Sequence, residues 1–122
     1  MDASKGAAPP IDVLIIDDEE SFLQVCSRTL EDSGYRTAVA KTGLLGLQMV
    51  GSAHPGVVLL DLKMQGMAGL QALSEIIKID PAAVPVVVTG LGTVDMAVES
   101  MKLGAFNYLI KPFSPEALET AG

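Results

Sequence analysis

Five short aliphatic runs, each followed by a segment with helical spacing, constrain this chain more than any other feature. The runs are Ile11–Ile16, Tyr35–Ala40, Val57–Leu60, Val84–Val88 and Phe106–Ile110. Most lack the polar alternation of a half-buried strand, so they read as strands buried on both faces. Between the first two lies Ser21–Asp32, with Phe22, Val25, Cys26 and Leu30 at helical spacing. Ser33-Gly34 ends that helix, and Gly34 suits the left-handed position after it. Thr42–Val50 is predicted helical, although Gly43 and Gly46 argue against it. His54-Pro55-Gly56 reads as a turn.

The second half repeats the pattern. A loop from Gly66 to Gly69 leads into a helix with Leu70, Leu73, Ile76 and Ile77 on one face, which Asp80-Pro81 breaks. Thr93 is the predicted N-cap of Val94–Leu103, where Val94, Ala97, Val98 and Met101 form a stripe. Ser114-Pro115 opens a last helix, with the proline at its first turn. Strand followed by helix, five times over, predicts one α/β domain: a doubly wound parallel sheet with helices on both faces.

Composition excludes several alternatives. Of 122 residues, 49% are hydrophobic, enough for a core; aromatics are only 4%, so that core must be aliphatic. Fifteen acids against eight bases leave a net charge of −7, which opposes direct nucleic-acid binding by this segment. Cys26, the single cysteine, cannot form an internal disulfide, and a reducing cytoplasm is the expected location. No apolar run approaches the roughly 18 residues of a membrane helix. Residues 1–10 lack the apolar core of a secretory signal and read as a flexible leader, native or added for expression.

The polar residues fall at informative places. Asp17 and Asp18 follow the first strand, Asp61 the third, Thr89 the fourth and Lys111 the fifth. In an open parallel sheet all these strand ends lie on one edge, where ligands bind at the reversal of strand order. Residues 17, 18, 61, 89 and 111 are therefore expected in one pocket. Three carboxylates crowded together repel, and a hard divalent cation such as magnesium relieves the repulsion. Lys111 offers a point charge, and Thr89 a hydroxyl, to phosphoryl oxygens. A carboxylate between a cation and a lysine is a competent nucleophile toward phosphorus and would form an aspartyl phosphate. Singly, each feature has a bland reading: the run Asp17–Glu20 is what a helix N-terminus attracts, and Lys-Pro pairs are common. It is their recurrence on successive strand ends that points to chemistry.

These motifs resemble the receiver domain of two-component response regulators over about residues 11–119. They are IIDDEE (Ile15–Glu20), LLDLKMQGMAGL (Leu59–Leu70), VVVTG (Val86–Gly90) and GAFNYLIKPF (Gly104–Phe113). The resemblance implies a flavodoxin-like sheet of order 2-1-3-4-5. It implies Asp61 as phosphoacceptor and Asp17, Asp18, Asp61 and the Lys63 backbone carbonyl as ligands of Mg2+ or Mn2+. Lys111 would pair with the phosphoryl group, and Thr89 and Tyr108 would form a switch pair. The implied partner is a sensor histidine kinase or phosphotransfer protein. Residues 11–122 would be the receiver, with a truncated last helix and an output domain C-terminal to it. The face of 94–103, 106–110 and the last helix would carry output or a homodimer contact. No activity beyond self-phosphorylation and autodephosphorylation is implied. The context from Leu91 to Phe113 looks most like receivers of sigma-54-dependent activators.

The chain departs from the family pattern at Gln65, often proline, and at Ala68, often an acid or Asn. Lys63 and Leu91 stand where similar proteins tune dephosphorylation. Two alternatives follow from the same residues. A receiver-like module working without phosphorylation would keep the fold and dispense with Asp61. A haloacid-dehalogenase-type phosphatase would need an acid where Lys63 stands. Cys26 reads as a core residue, His54 as a turn residue outside the cleft, and the methionines as gap-filling core or interface residues.

Overall fold

The computed structural model describes residues 11–63, 69–90 and 94–111, with only the backbone described at 89, 94, 96 and 97. Among the described residues, strands β1 (Val13–Ile16), β2 (Thr37–Ala40), β3 (Val57–Asp61), β4 (Val84–Thr89) and β5 (Asn107–Ile110) alternate with four helices. These are α1 (Glu20–Asp32), α2 (Gly43–Ala53), α3 (Gly69–Ile79) and α4 (Val94–Leu103). The sheet is wholly parallel, in the order β2-β1-β3-β4-β5. The strand order reverses between β1 and β3, as the doubly wound reading requires.

Alternation along each strand divides the core in two. Leu14, Ile16, Val58, Leu60 and Val87 point to one face, with Val50 of α2 and Leu73 and Ile76 of α3. Val13, Ile15, Leu59, Val86 and Leu109 point to the other, where Leu23, Cys26 and Leu30 of α1 cover them. The interior is aliphatic on both sides, as the scarcity of aromatics demands.

Several local expectations change. The first strand starts at Val13 and not Ile11, the second at Thr37 and not Tyr35, and the fifth at Asn107 and not Phe106. Val25, on the predicted stripe of α1, is exposed; Leu23, a neighbour of Phe22, takes the inward position. Helix α2 runs on to Ala53, capped by the Thr42 hydroxyl, which accepts from the Leu45 amide. Its glycine at 46 serves packing: a methyl group there would run into the Ile16 side chain. Gly34 takes the left-handed conformation with φ of 95°. On α4, Val98 and Met101 are exposed while Ser100 is buried. Packing against α3, β4 and β5 sets the rotation of that helix, and the apolar stripe does not. The predicted cap at Thr93, the positions of Gln65, Ala68 and Leu91, and the last helix lie outside the described residues.

Candidate functional site

Asp17 and Asp61 reach their places by the same local device. Each follows its strand directly or ends it, and each carboxylate accepts from the backbone amide two residues on. Asp17 Oδ1 takes the Glu19 N–H at 2.9 Å, and Asp61 Oδ1 takes the Lys63 N–H at 3.0 Å. Such Asx turns are what a short acidic side chain does where the chain leaves a ladder. Because β1 and β3 are neighbours in register, the two carboxylates come together at the edge where strand order reverses.

Asp17, Asp18 and Asp61 each offer a carboxylate oxygen within 4.8 Å of the others. Asp18 is exposed, while Asp17 is fully buried and Asp61 nearly so. Lys111, just past β5, joins them at the same edge: its Nζ lies 2.8 Å from Asp17 Oδ2 and 3.7 Å from Asp61 Oδ2. Thr89 ends β4 opposite Ile110, one residue beyond the Asp61–Val88 pair, so its backbone stands at the same edge. Tyr108 on β5 is half-buried and packs against the α2–α3 face of the core. Lys63 is exposed. Close by, Gly69 packs against the chain just after Asp61: a methyl group there would collide with the backbone of Leu62.

Charge is unbalanced here. Burial pushes the Asp17 carboxyl up to about 6, against the hydrogen bonds from Lys111 and the Glu19 amide; the nearby Asp61 charge pushes the same way. Burial pulls the Lys111 ammonium down, but its bonds to Asp17 and Glu19 and the charge of Asp61 outweigh that and raise it overall. One cation thus faces several acids, and a strained, buried carboxylate is the outcome. A hard divalent cation with oxygen ligands suits this donor set.

Two participants escaped the sequence reading. Glu19, read as part of an acidic helix start, puts Oε1 3.1 Å from Lys111 Nζ. Phe22, read as core, lies under the same ammonium, 4.1 Å from ring centroid to nitrogen. The spacing of 19 and 22, one helical turn apart, was the available signal. His54 lies at the opposite edge as the left-handed cap of α2, with Nδ1 3.1 Å from Asp80 Oδ2.

The sequence model of the response regulator receiver domain matches residues 13–121. The chain is a receiver domain of two-component response regulators. Among curated relatives, the transcriptional regulatory protein ZraR of Klebsiella oxytoca is 37% identical over 109 residues, which are 89% of this chain and 25% of that protein. A receiver domain protein from Clostridium thermocellum superimposes with a TM-score of 0.86 at 36% identity, covering 91% of this receiver and 90% of that chain. A Burkholderia pseudomallei response regulator, solved with a phosphorylated aspartic acid, calcium ion and citrate, gives 0.84 at 32% identity, covering 91% and 65%. The receiver spans about a quarter of the length of the curated relatives it matches. Among the described residues no helix is long and apolar enough to cross a membrane.

Proposed function

We propose that Asp61 is the phosphoacceptor of this receiver. The observation that carries the reading is the shared pocket: Asp61 stands within 4.8 Å of two further carboxylates and 3.7 Å from the Lys111 ammonium. Its Oδ1 is held by the Lys63 amide, so Oδ2 is the oxygen turned toward the lysine. Attack by Oδ2 on the phosphorus of a phosphohistidine forms the O–P bond. The P–N bond breaks, and the imidazole leaves with its electron pair. Lys111 then neutralises a phosphoryl oxygen, and Thr89 and Tyr108 act as the switch pair that responds.

Asp17, Asp18, Asp61 and the Lys63 carbonyl would hold Mg2+ or Mn2+. The ion would supply charge neutralisation to the phosphoryl group. The Burkholderia protein with its phosphorylated aspartic acid and calcium ion supports this reading by analogy.

We further assign the donor to a sensor histidine kinase or phosphotransfer protein, and the location to the cytoplasm. Residues 1–10 are a leader, native or added for expression, residues 11–122 form the receiver, and an output domain follows it. The length of ZraR relative to this chain supports that last assignment, in a regulator of the sigma-54-dependent type. Exposed Val98, Met101 and Leu103 on α4, with Phe106 just before β5, support output or homodimer contact through that face. The receiver turns over no external substrate beyond its own phosphorylation and hydrolysis.

Incubation with Mg2+ and acetyl phosphate is expected to add one hydroxylamine-labile phosphoryl group, seen by intact mass. Asp61→Asn removes it. A parent protein that stays unmodified under these conditions defeats the assignment.

A further inference from the structure

We propose that Glu19 is a positioning residue that competes with the phosphoryl group for Lys111, and so sets how strongly the phosphorylated site is held. The inference rests on the phosphoacceptor reading of Asp61.

An ammonium has three protons to donate. In this structure Lys111 directs two of them to Asp17 at 2.8 Å and Glu19 at 3.1 Å, while Asp61, at 3.7 Å, is beyond hydrogen-bond reach. The Phe22 ring also lies against the ammonium, 4.1 Å away. Glu19 and Phe22 are three residues apart at the start of α1 and therefore share a face. Together they draw the lysine toward the β1–α1 corner and away from the acceptor oxygen.

Glu19 differs from the other acids of the pocket. It is not one of the three clustered carboxylates, Asp17, Asp18 and Asp61, that could hold a cation. It sits at the N-cap position, yet its side chain makes no capping bond; its contact is with Lys111. A carboxylate and a phosphoryl oxygen are both charge-assisted acceptors for an ammonium. When Asp61 carries the phosphoryl group, each movement of Lys111 toward it lengthens the bond to Glu19. The Glu19 side chain is 57% exposed, so the opposition is modest and graded, and does not lock the site.

Two substitutions separate hydrogen-bond competition from simple repulsion. Glu19→Gln removes the charge and keeps the length. Glu19→Asp keeps the charge and withdraws it by one methylene, and aspartate at an N-cap turns to the first-turn amides instead. The probe is beryllofluoride with Mg2+, titrated into the 122-residue protein and followed by NMR. Both variants are expected to bind it about two- to five-fold more tightly than the parent, the range open to a half-exposed ion pair. In the metal-free protein the Lys111 ammonium resonance is expected to move in both.

Unchanged or weaker binding in Glu19→Gln overturns the proposal. So does a Glu19→Asp variant that matches the parent while Glu19→Gln binds more tightly, since through-space repulsion alone would then be acting. A parent that binds no beryllofluoride overturns the phosphoacceptor reading, and the inference with it. That pattern is distinct from a parent that binds and variants that do not differ.

Discussion

Asp12 and Asp17 stand just before and just after β1, and each holds a basic side chain delivered from another strand. Arg36, just before β2, grips Asp12 through its backbone amide, Nε and a terminal nitrogen. That pair is exposed, and its hydrogen bonds hold the Asp12 carboxyl below the usual carboxylate range. Lys111 meets Asp17 at the other end of the strand with Asp17 wholly buried, and there burial wins: the carboxyl rises to about 6. Both carboxylates are hydrogen-bonded to a cation, yet only one is strained. What separates the two ends is desolvation, and the second carboxylate that β3 brings beside Asp17. One end of the strand is a surface clasp; the other stores unfavourable charge that a cation and a phosphoryl group can use.

The most severe test removes each basic partner. Lys111→Ala is expected to lower the rate of modification by acetyl phosphate about 100-fold or more, because the developing charge loses its only nearby ammonium among the described residues. Arg36→Ala should leave that rate unchanged. Comparable losses in both variants, measured by mass spectrometry over time, would erase the distinction between the two ends.

Stability should separate them next. In metal-free buffer at pH 8, Asp17→Asn is expected to stabilise the fold by about 1–3 kcal/mol by relieving a buried charge. Asp12→Asn should give no gain. The pH dependence has opposite signs. Asp17 titrates near 6 when folded against an ordinary 3.8, so its folded state binds more protons in that window. Stability therefore falls as pH rises from about 4 to about 6, then levels. Asp12 is held below its ordinary value, so its contribution is lost only as pH falls below that range. Urea titrations across pH check both slopes. Saturating Mg2+ should raise stability above pH 6, where Asp17 is ionised.

The smallest expected effect concerns Cys26, buried in the core under α1. Burial, assisted by the charge of Asp17, pushes its thiol up to about 12. Native protein should therefore react with a thiol reagent only slowly at pH 8, far behind the urea-unfolded chain. Reaction as fast as an exposed thiol would mean that α1 lifts readily from the sheet.

Much of the fold was legible because strands buried on both faces leave an unmistakable mark. Val57 to Asp61 and Val84 to Thr89 each carry that mark alone, without help from their neighbours. The gathering of Asp17, Asp18, Asp61 and Lys111 was legible for a geometric reason, since parallel strands all end on one edge. Helix faces were less legible. Val25 and Val98 have the chemistry of core residues and point outward, because a helix turns to suit what it packs against. Glycine at 46 looked like a breaker and proved to be a close contact with Ile16.

From the order of residues alone came the alternating architecture, the aliphatic core and the edge on which acids and lysine meet, because those follow from periodicity and chain direction. Only the folded molecule decided which carboxylate is strained, which oxygen of Asp61 turns to Lys111, and that Glu19 and Phe22 hold the same ammonium. Those depend on burial and on distances of a few ångströms between side chains up to 94 positions apart, which no local pattern encodes.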